Sequence, residues 1–175
     1  MNPDIQDRYA VMGNPIAHSK SPFIHARFAE QTGEHLRYDA LLVELDGFAA
    51  TVAAFRATGG RGLNITVPFK QEAWALAERR TPRAGRAGAV NTLWWDDASV
   101  LHGDTTDGVG LVRDLCENHG LELGGKRILL LGAGGAVLGV LEPLLETLPS
   151  ALVIANRTAH KAVGLAQDFT ALGPV

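Results

Sequence analysis

The chain has 175 residues, 46% of them apolar, which is enough for one sizeable globular domain or two small ones with a buried core. Its 16 basic and 19 acidic residues leave a formal charge of −3 without a basic run, which argues against nucleic acid or an anionic lipid surface as partner and favours a small molecule. The single cysteine, Cys116, cannot close an internal disulfide and reads as a buried structural thiol; with Asp4, Asp7, Pro15 and Pro22 in place of an apolar leader and no membrane-length apolar run, a cytoplasmic protein is expected.

In chain order, Arg8–Gly13 reads as a short strand ended by glycine, and Asn14-Pro15 as a turn before the loop 16–20. A helix follows, with Ser21 suited to the N-cap, Pro22 to the first turn, Phe23, Ile24, Phe28 and Ala29 at helical spacing, and Gly33 at the end. Leu41–Val43 is a strand candidate, and an alanine-rich helix spans 48–58 before Gly59-Gly60. Leu63–Val67 alternates apolar and polar residues, the period of a strand, and Pro68 closes it before a helix to about Arg80. Ala89–Trp95 is a further strand, Asp96-Asp97 a turn, and Val100–His102 its hairpin partner.

A helix from Asp107 ends near Gly120, and Gly124-Gly125 marks a boundary. Arg127–Leu131 is a continuous apolar run, as in a parallel strand buried on both faces, and leads through Gly132-Ala133-Gly134-Gly135 into a helix to about Leu148. A second such strand, 151–155, and a second helix, 158–172, follow. Two parallel strands leave ladder and apolar surface uncovered, so the sequence is expected to be part of a longer protein.

The strand, the glycines at 132, 134 and 135 and the following helix form the pattern that lets a pyrophosphate approach free backbone N–H groups; a tight strand-to-helix turn is the plainer alternative. At the end of the next strand, Asn156-Arg157-Thr158 and Lys161 stand where an acidic residue would hold the ribose of NAD. Guanidinium, hydroxyl and ammonium attract a 2′-phosphate, so the site reads as NADP-selective, unless Thr158 merely caps a helix. Ser19 and Ser21 flank Lys20 at a helix start, where hydroxyls and unpaired N–H groups suit a carboxylate; Ser21 acting only as a cap is the alternative. Asn64 and Thr66 share one face of their strand, and Lys70 opens the next helix, where the dipole gives no reason for a cation. Asn91 and the segment Gly103–Gly108 add polar groups that either line the same cleft or build turns.

Together, Asn14-Pro-Ile-Ala-His-Ser-Lys-Ser-Pro22, Asn64-Ile-Thr-Val-Pro-Phe-Lys70, Gly88-Ala-Val-Asn-Thr92, Thr106-Asp-Gly108, Gly132-Ala-Gly-Gly-Ala136 and Asn156-Arg-Thr158 resemble the shikimate dehydrogenase family, in order and at matching separations. The resemblance implies an α/β protein: an N-terminal α/β substrate-binding domain over 1–108, followed over 109–175 by a linking helix and the start of a Rossmann-type NADP-binding domain. It implies NADP-dependent reduction of 3-dehydroshikimate to shikimate, with Lys70 and Asp107 as the catalytic pair. Ser19 and Ser21 would take the carboxylate, and Asn64, Thr66 and Asn91 the ring hydroxyls. Gly132, Ala133, Gly134, Gly135, Ala136, Asn156, Arg157, Thr158 and Lys161 would hold the cofactor.

No metal is expected, because the histidines show no ligand spacing, and the protein is expected as a monomer or homodimer. A quinate/shikimate paralogue and an inactive shikimate-binding fragment are the alternatives. Three positions depart from the family pattern: Thr105 replaces a common Asn, Val137-Leu138 replace smaller or basic residues, with Val137 expected to crowd the helix, and Lys161 replaces an arginine. Lysine lacks the planar guanidinium fork, so weaker NADP binding is expected.

Overall fold

The computed structural model describes residues 6–175, so Asp4 lies outside the described residues. The chain divides into two compact units, one carrying the chain up to Arg80 together with Val90–Asp104, the other Thr81–Ala89 with Thr105–Val175.

In the first unit, strands β1 (Asp7–Gly13), β2 (Leu36–Leu42), β3 (Gly60–Ile65), β4 (Arg79–Arg80), β5 (Thr92–Trp95) and β6 (Leu101–Asp104) form one sheet in the order β2-β1-β3-β5-β6-β4. The first three strands are parallel, and β3, β5 and β6 pair antiparallel. Helices α1 (Ser21–Thr32), α2 (Phe48–Ala57) and α3 (Lys70–Leu76) connect them. The period of two sorts the residues: Ala10, Met12, Leu63, Ile65 and Leu93 are buried in the core, while Tyr38, Tyr9, Gly62 and Trp94 form a cross-strand row on the other face. Phe48 of α2 and Phe69 stack with ring centres 5.1 Å apart, both fully buried.

The second unit contains α4 (Pro82–Ala87), α5 (Asp107–Arg113) running into a π-helical turn at Asp114–Asn118, and β7 (Arg127–Leu131). It continues with α6 (Gly135–Glu146), β8 (Ala151–Ala155) and α7 (Ala159–Phe169). Strands β7 and β8 are parallel and pair from Arg127 with Ala151 to Leu131 with Ala155. Leu141, Leu144, Leu145, Leu152 and Phe169 are the buried centre of this unit.

Several expectations are corrected. The strand at 41–43 is the end of a longer one, β2, whose Leu36, Tyr38 and Ala40 alternate with Arg37 and Asp39. The helix expected to run to Arg80 ends at Leu76, and α4 is an additional helix: Thr81 Oγ1 accepts the Ala84 N–H at 3.3 Å, Pro82 occupies the first turn, and Gly88 closes it at φ 62°. Ser21 is the first helical residue and not the cap, a position held by Lys20 without a side-chain bond; the Ser21 N–H donates instead to Ser19 Oγ at 3.3 Å. The expected burial of β7 on both faces does not hold, since Leu129 and Leu131 are 60% and 77% exposed, α6 and α7 packing with the opposite side. Cys116 is half-buried on the π-helical turn. Val137 is partly buried against the Leu141 cluster. Among the described residues, no helix is long and apolar enough to cross a membrane.

Candidate active site

In the first unit the candidate residues gather where the parallel strands end. Loops leaving the carboxyl ends of such strands line the crevice in which α/β proteins hold ligands. After β1 come Asn14–Lys20 and the start of α1; after β3 come Thr66–Phe69 and then Lys70, the first residue of α3. Backbone bonds stitch these loops together: Asn14 N–H donates to the Val67 carbonyl at 2.9 Å, Thr66 N–H to Met12 at 2.9 Å, Ile65 N–H to Asn91 at 2.7 Å, and Val90 N–H to Lys70 at 2.9 Å. The Asn14 side chain donates to the Val43 carbonyl at the end of β2, also at 2.9 Å. Asn64, Lys70 and Asn91, dispersed in sequence, therefore share one hydrogen-bonded framework.

The polar side chains are linked as well. Tyr38 Oη donates to Asn64 Oδ1 at 2.6 Å; Asn64 Nδ2 lies 3.4 Å from both the Asn91 carbonyl and Thr92 Oγ1; and Thr92 Oγ1 donates to Asn91 Oδ1 at 2.9 Å. The Ser21 hydroxyl acts on the Tyr38 phenol in the direction that lowers its pKa. Burial pushes the phenol's pKa well above its ordinary value, a larger effect than the opposing one from Ser21, and so keeps it protonated. His25, one turn along α1 from Ser21, stacks on the Tyr38 ring at 4.0 Å with planes 3° apart, and burial lowers its imidazole pKa. A pocket of about 240 Å³ lies here, lined by Tyr9, His25, Tyr38, Gly62, Asn64 and Trp94 among others. Sequence reasoning missed Tyr38, His25 and Thr92; the alternation of residues 36–40 was the signal available for Tyr38.

In the second unit, β7 passes through Gly132-Ala133-Gly134 into α6, which starts at Gly135 with no side-chain cap. Gly132 has φ 120°, a conformation side chains avoid, and its N–H donates to the Ala155 carbonyl at 2.7 Å. A β-carbon added at Gly134 would meet nothing within 4 Å, so the space before the helix end is open. The first-turn N–H groups of a 12-residue helix with no side-chain cap fit a pyrophosphate there. Beyond β8, Asn156 Nδ2 donates to the Thr158 carbonyl at 2.9 Å, and Thr158 sits at the α7 cap position with no side-chain bond. Arg157 and Lys161 are exposed, and no acidic residue stands between 156 and 161.

Asp107 opens α5 and lies against α6: a β-carbon at Gly139 would come within 3.8 Å of its Oδ2, and one at Gly108 within 2.4 Å of the Gly139 carbonyl oxygen. Thr106-Asp107-Gly108 is thus a close-packing motif as well as a helix start. Arg86 of α4 bonds Glu142 of α6, whose side chain is buried and whose Oε2 has no hydrogen-bond partner among the described residues; that bond raises the Arg86 pKa. Of the expected pair, Lys70 belongs to the first unit and Asp107 to the second.

Comparison with known proteins decides the family. Residues 11–93 match the shikimate dehydrogenase substrate binding domain, and 114–173 match shikimate / quinate 5-dehydrogenase. Shikimate dehydrogenase (NADP(+)) of Dechloromonas aromatica is 60% identical over 171 residues, covering 98% of this chain and 62% of that protein. This chain belongs to the shikimate dehydrogenase family. Among solved structures of similar fold, an Ael1 enzyme from Pseudomonas putida has 50% identity and a TM-score of 0.86, covering 94% of this chain and 60% of that one. Shikimate 5-dehydrogenase from Thermus thermophilus, solved in complex with NADP(H) and shikimate, has 37% identity and a TM-score of 0.86, covering 97% of this chain and 63% of that one. This shikimate dehydrogenase family member thus spans about three-fifths of the length of the relatives it matches.

Proposed function

We propose that the chain carries the substrate side and the opening of the cofactor side of an NADP-dependent shikimate dehydrogenase, interconverting 3-dehydroshikimate and shikimate. The observation that carries this reading is the gathering of Ser19, Ser21, Asn64, Thr66, Lys70 and Asn91 on hydrogen-bonded strand ends, loops and helix starts of the first unit. The named relatives supply the chemistry that such a set would serve. In this proposal 1–108 binds substrate and 109–175 begins the NADP-binding part, in a cytoplasmic monomer or homodimer.

Ser19 and Ser21 would receive the substrate carboxylate at the start of α1, and Asn64, Thr66 and Asn91 would orient the ring. As negative charge grows on the carbonyl oxygen, the Lys70 ammonium would stabilise it and deliver a proton, with Asp107 proposed as the second catalytic residue. Bound NADPH supplies the hydride. Residues 132–136 would hold its pyrophosphate, and Asn156, Arg157, Thr158 and Lys161 its 2′-phosphate.

The test is shikimate-dependent NADP+ reduction by this chain and by a version extended to the length of its relatives, each with a Lys70→Met control. The expected outcome is turnover that falls by about 10²–10⁴-fold in the control, the range for a lost acid–base group. A folded, extended protein that turns over neither way would overturn the reading. Because one matching domain description also includes quinate, quinate with NAD+ is run in parallel, and preference for that pair would replace the substrate assignment.

A further inference from the structure

We infer that Tyr38 is a positioning residue for substrate binding: its phenol anchors the Asn64 amide at the head of a hydrogen-bond chain that runs through Thr92 to Asn91. The inference rests on the proposed function, which makes Asn64 and Asn91 substrate contacts, and adds what orients them.

The direction follows from counting protons. The Asn91 backbone carbonyl can only accept, so the Asn64 group facing it at 3.4 Å is the NH₂, and the amide oxygen faces Tyr38. That oxygen can only accept too, so the one phenolic proton goes to it across 2.6 Å. Thr92 Oγ1 accepts from Asn64 Nδ2 and gives its own proton to Asn91 Oδ1 at 2.9 Å. The amide oxygen of Asn91 is thereby engaged, which fixes which way round its amide is held. Tyr38 therefore ties β2 to β3 through its hydroxyl and to α1 through the His25 stack, and holds the Asn64 amide in the one sense the Asn91 carbonyl allows.

The surroundings of Tyr38 hold it for that task. Its ring is pinned by His25 at 4.0 Å, and burial keeps the hydroxyl protonated. A phenolate could not donate to Asn64, and the amide would lose its anchor.

Shikimate and NADP+ affinities are measured by calorimetry for the wild-type chain, Tyr38→Phe, Asn64→Ala and the double variant. Phenylalanine keeps the ring and the His25 stack and removes only the hydroxyl. The expected result is about tenfold weaker shikimate binding in Tyr38→Phe, the loss of one buried hydrogen bond, with NADP+ binding unchanged. In the Asn64→Ala background the same change should have little further effect. Wild-type shikimate affinity in folded Tyr38→Phe, or losses that simply add, would overturn the inference. Should Tyr38→Phe fail to fold, Thr92→Val interrupts the same chain and is expected to weaken shikimate severalfold; no weakening there would equally overturn it. A wild-type chain that does not bind shikimate would defeat both the proposed function and this inference, whereas a binding wild type with an indifferent Tyr38→Phe defeats the inference alone.

Discussion

The two units prepare for a ligand by opposite means. In the first, side chains do it: Tyr38, Asn64, Thr92 and Asn91 bond one another, and hydroxyls and amides are committed before any substrate arrives. In the second, the backbone does it: the turn 132–134 has no side-chain cap, and its fitness lies in what the glycines leave out. The lesson is that the first is damaged by removing atoms and the second by adding them.

The largest effect should come from adding atoms at the turn. Gly134→Val starts from a position where an added β-carbon meets nothing within 4 Å, so stability should hold while NADP+ binding weakens at least about 100-fold, the worth of one or two charge-assisted hydrogen bonds. Calorimetry beside a thermal melt checks both halves, and unchanged NADP+ affinity would remove the turn from the cofactor site. Next is Gly108→Ala, whose β-carbon would meet the Gly139 carbonyl oxygen at 2.4 Å and Pro143 Cγ at 2.7 Å. Overpacking of this kind costs about 1–3 kcal/mol, so denaturant midpoints should fall although glycine is the poorer helix former.

A smaller effect sharpens the contrast from the side-chain end. Burial depresses the His25 pKa in the folded state. Between that lowered value and the ordinary one, about 6.5, the unfolded chain binds a proton that the folded chain does not. His25 therefore makes stability fall as pH drops below about 6.5 and ceases to matter well above it. His25→Phe keeps a ring on Tyr38 and should flatten stability against pH across pH 5–7, by less than one proton's worth of slope; parallel curves would contradict this. The smallest effect is at the cofactor's edge: Lys161→Arg restores the planar fork and should tighten NADP+ about threefold, without changing shikimate binding, at an exposed site where ion pairing is weak.

What the sequence made legible follows the same division. The glycine turn, its strand and its helix could be read because they are contiguous and each residue's reason is local. Lys70 at a helix start and the alternation of 63–65 were legible for the same reason, although the strand expected to reach Val67 ends at Ile65. Strand β2 was read too short because Arg37 and Asp39 interrupt its apolar residues, although their alternation with Leu36, Tyr38 and Ala40 is that of a strand with one polar face. Helix α4 was missed although Thr81, Pro82 and Gly88 carry its capping signals, because only six residues separate cap from cap. What lay beyond reach was relational: Tyr38 meeting Asn64 across 26 positions, Arg86 meeting Glu142 across 56, and Gly108 fitting against Gly139. Each partner alone has an ordinary explanation, and only the fold makes them pairs.

The most direct test of the contrast is a crossed titration, in which shikimate and NADP+ are each titrated into Tyr38→Phe and Gly134→Val, with folding checked on the same samples. The account predicts that the first variant loses affinity for shikimate alone and the second for NADP+ alone. Two folded variants that lose both ligands together, or neither, would contradict it.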